Sequence, residues 1–220
     1  MKISKFIKNS MIDFPRRIAC VAFTNGCNWK CWYCQNAQLL QENEDKTNEF
    51  FDYLASRVGW IDGVVICGGE PTIHKDLPQL IRKIKELGFA VKLDTNGTNS
   101  EMLANLIEKN LIDYVAMDIK APTEKLEQIA LCKHNFDEVE KSIDILLQNK
   151  VEYEFRTTVT PDLDENDILK IAKRISGAKQ YILQPYRKPD FLHNAPEPLK
   201  IESLAHFTQI ANEFVPTILR

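Results

Sequence analysis

No apolar run in the 220 residues approaches the roughly 18 that a membrane span requires. Nor is there an excess of positive charge. The 28 Lys and Arg stand against 31 Asp and Glu, the net charge is −3, and the basic residues are scattered, which excludes the electrostatic footprint of a nucleic-acid binder. The stretch Met1 to Arg17 is broken by charge and lacks the apolar core of a secretory signal, so a cytoplasmic location is expected. Repeats, low-complexity segments and linkers rich in Gly, Ser or Pro are missing too, which predicts one domain over residues 1–220. In a reducing compartment the six cysteines are not expected to pair as structural disulfides.

What is present is a regular alternation. "RIACVAFT" (Arg17 to Thr24), "DGVVICGGEP", "FAVKLDTNG", "DYVAMDIK", "VEYEFRTTVTP" and "KQYILQPY" read as strands. Between and after them, "NEFFDYLASRV", "LPQLIRKIKELG", "SEMLANLIEKN", "NFDEVEKSIDILLQNK", "DENDILKIAKRI" and "IESLAHFTQIANEF" read as helices, the last over about 199–214. Gly88 is a helix stop and Ser100 a candidate cap. Six strand–helix units predict an α/β fold with parallel strands, too few for an eight-stranded barrel, hence a partial (β/α)6 barrel. Polar residues recur just past each strand, at Cys27 to Asn36, Gly68 to Glu70, Asp94 to Asn96, Asp118 to Lys120 and Gln184 to Arg187. In a parallel sheet these positions share one edge, where α/β enzymes build their sites.

The densest chemistry is "GCNWKCWYCQN", Gly26 to Asn36, in the loop after the first predicted strand. Cys27, Cys31 and Cys34 are too closely spaced for ordinary core thiols. Zinc would need a fourth ligand, and neither His74 nor His134 lies in a paired ligand motif. Cys31 and Cys34 form C-x-x-C, but the third cysteine and the lack of a thioredoxin-like opening disfavour a redox dithiol. Thiolates are the usual ligands of iron–sulfur clusters, and three on a four-iron cluster leave one iron open. Cys20, Cys67 and Cys132 read as structural, and the aromatics of "NEFFDYL" as core. Trp29 and Trp32 flank the cysteines and are placed to exclude water.

The spacing C-x3-C-x2-C after the first strand, with Tyr33 before the last cysteine and "GGEP" (Gly68 to Pro71) after the second strand, resembles the radical S-adenosylmethionine (SAM) superfamily. "MIDFP", "LDTNG", "YVAMDIKAP" and "YEFRTTVTP" extend the likeness over about residues 11–187 and narrow it to the glycyl-radical-enzyme activases, most specifically those serving anaerobic ribonucleoside-triphosphate reductase. With no cysteine from Gln35 to Ile66, the chain resembles the small members that lack a ferredoxin-like insert. It departs from the common pattern at Arg16, Trp32, Gln35 and Arg187, where relatives carry glycine, proline, histidine and histidine.

The resemblance implies a radical SAM fold, one 4Fe–4S cluster on Cys27, Cys31 and Cys34, and SAM as cofactor. It implies reductive SAM cleavage and abstraction of a glycine hydrogen from a glycyl-radical reductase, with a low-potential donor such as flavodoxin or ferredoxin. By the same resemblance, Tyr33, Gln35, Asn36, Gly68, Gly69, Glu70, Asp94, Thr95, Asn96, Asp118, Lys120, Arg156 and Arg187 are the expected SAM-binding residues. Singly, Glu70 is equally a helix-start acid, Asn36 a turn residue, and Asp94 or Asp118 a cap. Together the two aspartates are expected to hold a cation or orient SAM. Lys120 and Arg156 would meet a carboxylate or belong to a structural ion-pair network. The rivals are a small-molecule radical SAM enzyme of the 7-carboxy-7-deazaguanine synthase kind and a non-catalytic metal-binding module.

Overall fold

The computed structural model describes residues 1–40, 44–132, 136–189 and 194–220. Among these described residues, eight strands form one sheet in the order of the chain. They are β1 (Ile3–Ser10), β2 (Ala19–Thr24), β3 (Gly63–Gly68), β4 (Ala90–Thr95), β5 (Tyr114–Asp118), β6 (Glu152–Val159), β7 (Tyr181–Pro185) and β8 (Thr217–Leu219). The helices are α1 (Thr47–Ala55), α2 (Leu77–Glu86), α3 (Ser100–Glu108), α4 (Thr123–Ala130), α5 (Asp137–Leu147), α6 (Glu165–Arg174) and α7 (Ile201–Ala211). Strands β2 to β8 pair in parallel, and β1 runs antiparallel to β2. The six expected strand–helix units are all there, from β2 to α7. β1 and β8 extend the sheet at its two margins without pairing to each other, so the barrel stays open.

Alternation along each strand sorts the side chains. Cys20, Ala22, Val64, Ile66, Val91, Leu93, Val115, Met117, Phe155 and Leu183 face the helices in one large core. The intervening residues face the concave side, where Phe14, Ala19, Val21 and Val65 make a small apolar floor. Each helix answers with a stripe: in α2, Leu77, Leu80, Ile81 and Ile84 are buried at helical spacing. The chain leaves α2 through Gly88 at φ +90°, as expected of a stop. Phe50 and Tyr53 of α1 are core. The cap of α3 is Asn99, not Ser100: its side chain accepts from the Met102 amide at 3.1 Å. Ser100 is the first helical residue and donates its hydroxyl to Glu138.

Three elements depart from the sequence reading: β1, β8 and α4. The crossover from β5 to β6 therefore carries two helices, and α4 braces the cysteine loop from below, with Lys30 N donating to Ala130 O at 2.9 Å. Among the described residues no helix is long and apolar enough to cross a membrane.

Candidate active site at the carboxyl edge of the sheet

The cysteine loop leaves β2 and lies directly against the end of β3. Gly69 N donates to Thr24 O and Glu70 N to Gly26 O, both at 2.9 Å. The two glycines make this approach possible. A Cβ on Gly68, whose φ is +113°, would lie 2.5 Å from the Thr24 backbone, and one on Gly69 would lie 1.7 Å from Gly26 O. Trp29 N points at Cys27 Sγ (3.4 Å), and Cys34 N closes a turn on Cys31 O. Burial pushes the Cys27 thiol up to about 12 and Cys31 to about 11. Thiols this desolvated ionise only against a local positive charge, which a bound metal supplies. Among the described residues no three His, Cys, Asp or Glu side chains already stand as a closed ligand group. The three thiols instead share the wall of one cavity of about 530 Å³. His74 does not approach as a fourth ligand, since its Nε2 is engaged by Asn25 O at 2.9 Å. His134 lies outside the described residues.

Glu70 is a buried hub. Its Oε1 accepts from the amide and hydroxyl of Thr72 and from Thr95 Oγ1 (2.7 Å), and its Oε2 from the Asn96 amide (2.7 Å). Burial raises its pKa, while these donors pull the other way. The carboxylate thus ties the ends of β3 and β4 together, so a ligand at this edge meets the Gly68–Gly69 backbone rather than a free acid. Asn36 Nδ2 reaches Gly68 O at 3.4 Å. Thr95 and Asn96 also turn their polar atoms inward: Asn96 Nδ2 donates to Asn28 Oδ1 at 3.0 Å.

Beside the thiols runs a line of charges. Arg156 bridges Asp94 and Asp118 at 2.8 Å each, Lys120 donates to Asp118 at 2.7 Å, and Lys92 pairs with Asp94. Burial works to raise the Asp118 pKa, but Arg156 and Lys120 outweigh it and hold the carboxyl well below its usual range. Asp118 in turn raises Lys120 against the effect of burial. Lys120 and Arg156 thus present fixed cationic donors to the cavity, each held by an aspartate. The expected cation between Asp94 and Asp118 finds its position taken by the Arg156 guanidinium. The aromatic wall includes Tyr33, whose ring centre lies 5.9 Å from the Lys120 ammonium, and Trp29 lines the same cavity. Trp32 packs on Tyr33 and Tyr186 and donates its indole N–H to Asp162 (3.0 Å), away from the cavity. Two of the four departures from the common pattern touch: Gln35 Nε2 donates to Arg187 O at 2.7 Å.

Every candidate site residue from the sequence lines this one cavity. Sequence reasoning missed Lys92, Thr158 and Arg220, and within the segments it placed at this edge it did not single out Asn28, Gln184 or Tyr186. Lys92 carried a readable signal, a cation inside an apolar strand. Cys67, taken as core, faces the cavity, and Cys20 is buried on the helix side.

The sequence profile of the radical SAM superfamily matches residues 21–175, which include the cysteine loop and every strand from β3 to β6. The chain belongs to the radical SAM superfamily. A Methanocaldococcus jannaschii protein with the provisional name glycyl-radical enzyme activating enzyme is 35% identical over 99% of this chain and 94% of its own length. Among solved structures, a domain of pyruvate-formate lyase-activating enzyme from Bacteroides vulgatus superposes with a TM-score of 0.60 at 19% identity, covering 72% of this chain and 99% of that domain. Streptococcus suis SuiB bound to S-adenosylmethionine superposes at 0.70 with 15% identity, over 90% of this chain and 48% of SuiB. At these identities the structures establish the fold alone. As a radical SAM enzyme the chain belongs with proteins that use a 4Fe–4S cluster and SAM, and its site fits them. Three thiols stand on one loop, the glycine edge exposes backbone to the cavity, and Lys120 and Arg156 line the same wall as donors for a carboxylate.

Proposed function

We propose that this radical SAM enzyme activates a glycyl-radical enzyme by removing a hydrogen atom from a backbone glycine of that partner. The observation that carries the reading is the shape of the cavity. It runs from the three thiols along the concave face of the sheet to Ile7 on β1, which is 42% exposed, and to Arg220 beyond β8. β1 and β8 do not pair, so the cavity meets solvent along the side of the barrel, where an extended chain can reach in. The full-length similarity to the M. jannaschii protein supports the same reading.

In this proposal residues 1–220 act as one domain. Cys27, Cys31 and Cys34 hold the cluster. When bound, the reduced cluster supplies the electron that splits SAM into methionine and a 5′-deoxyadenosyl radical. The Gly68–Gly69 backbone and Asn36 receive the SAM ammonium end. Lys120 and Arg156, fixed in place by Asp118 and Asp94, face its carboxylate. Glu70, Thr95 and Asn96 hold the strand ends that present these groups. Tyr33 and Trp29 keep water from the reacting atoms, and Gln35 with Arg187 joins the cysteine loop to the end of β7. The partner is an anaerobic ribonucleoside-triphosphate reductase, and the electron donor a flavodoxin or ferredoxin in the cytoplasm.

The test is isotopic. Protein, SAM, reductant and a reductase carrying deuterium at its radical glycine are mixed anaerobically. Deuterium should appear in 5′-deoxyadenosine, and a glycyl EPR doublet should form on the reductase. Label retained on the glycine, with turnover of a purine-like small molecule, would overturn the proposal in favour of a small-molecule enzyme.

A further inference from the structure

Cys27 is the first thiol of the loop, and the residue after it is held by a different part of the chain. Asn28 Nδ2 donates to Thr98 Oγ1 at 2.7 Å, and Asn28 Oδ1 accepts from Asn96 Nδ2 at 3.0 Å. Both ends of one amide are therefore engaged by the turn that follows β4. That turn is itself locked. Asn96 Oδ1 accepts from the Thr98 amide (3.0 Å) and the Thr98 hydroxyl (2.6 Å), and the Asn96 amide donates to the buried Glu70 carboxylate. The Cys27 thiol lies 3.9 Å from Asn28 Oδ1 and accepts from Trp29 N.

We infer that Asn28, Asn96 and Thr98 form a brace that fixes the Cys27 side of the cysteine loop, making Thr98 and Asn28 positioning residues for the first cluster ligand. The inference rests on the assignment of Cys27 as a ligand. The geometry favours a brace over a SAM contact because the amide groups of Asn28 and Asn96 and the Thr98 hydroxyl are spent on one another. The asymmetry within the loop points the same way. Cys31 and Cys34 are tied by backbone bonds, Lys30 N to Ala130 O and Cys34 N to Cys31 O. The Cys27 side has two backbone bonds at Gly26, from Glu70 N and to Leu39 O, and only this side adds the side-chain lattice, which spans 70 residues of sequence between Asn28 and Thr98. Hydrogen bonds near the sulfurs tune a cluster's potential, so a brace that sets the Cys27 rotamer also sets that potential.

The test uses Thr98→Val, which keeps shape and removes the hydroxyl, Thr98→Ser, which restores it, and Asn28→Ala. In the metal-free protein, residue-resolved alkylation by iodoacetamide reads the loop directly. Loss of one or two such hydrogen bonds should speed labelling of Cys27 about fivefold to thirtyfold in Thr98→Val and Asn28→Ala. Cys31 and Cys34 should label at the wild-type rate, and Thr98→Ser should restore the Cys27 rate. In the reconstituted protein, the same two variants should shift the cluster's midpoint potential and EPR line shape, and Thr98→Ser should return both to wild type. Cys27 labelling unchanged in both variants would overturn the inference. So would an equal acceleration at all three cysteines, because that reports general loosening of the fold. A wild-type protein that takes up no cluster would overturn the ligand assignment instead, while the alkylation pattern still decides the brace.

Discussion

Gly69→Ala is the sharpest test of how the cysteine loop is held. An added Cβ would lie 1.7 Å from Gly26 O, 2.5 Å from Gly26 C and 3.3 Å from Cys27 N. All three are backbone atoms, so no side-chain rotation relieves the overlap. Restoring ordinary contact requires the loop to retreat by about 2 Å. That movement breaks the 2.9 Å bond from Glu70 N to Gly26 O. Overpacking and one lost hydrogen bond together cost about 3 kcal/mol. For a chain of this size that lowers the melting temperature by roughly 6–12 °C. The control is Gly59→Ala, where φ is +81° but no atom stands within 4 Å. There only backbone strain of about 1–2 kcal/mol applies. Anaerobic thermal melts with iron and sulfide content measure both effects. Gly69→Ala should melt lower than Gly59→Ala and lose cluster, because its displacement falls next to Cys27. A Gly69→Ala protein that melts as wild type does and retains full iron would refute the packing argument.

Further expectations follow from the same site. Cys34→Ala should lose the cluster's visible absorbance, and Cys132→Ala, outside the cavity lining, should keep it. Arg156→Ala leaves Asp94 and Asp118 without their shared guanidinium; it should destabilise the fold by about 3 kcal/mol, the low end for a pair that is not completely buried, and weaken SAM binding in equilibrium titration. Asp118 has a folded pKa below its unfolded value. Its stabilisation is present above the unfolded pKa, near 4, and is lost as pH falls through the folded one, so Asp118→Asn should flatten the acid limb of a stability–pH curve below about pH 4. Lys120 is shifted the opposite way. Its contribution is complete below the unfolded pKa of about 10.4 and fades above it, so Lys120→Met should remove part of the alkaline loss seen by denaturant titration.

The elements that sequence reasoning passed over share a cause. β1 carries Lys5 and Lys8 on an edge strand, where charge guards an unpaired margin and blurs alternation. β8 has three residues, too few to show alternation, and α4 has eight, of which only Leu126, Ile129 and Ala130 are buried, a thin stripe to read. The cation expected between Asp94 and Asp118 fails for a related reason. Asp118 and Arg156 are register partners across β5 and β6, although 38 residues separate them in the chain. Nothing local in either segment announces that the carboxylates already have a guanidinium.

The six strand–helix units in their order, the cysteine spacing, and the set of polar residues gathered at the carboxyl edge were determined by sequence alone. They are local patterns, and parallel strand–helix repeats put every strand end on one rim. Partnership was decided only in the tertiary structure. Glu70 closes on Thr72, Thr95 and Asn96, Gly69 admits the backbone of Gly26, and Arg156 chooses two aspartates from neighbouring strands. A hydrogen bond or ion pair depends on register and twist across the sheet, and these exist only once the strands have met.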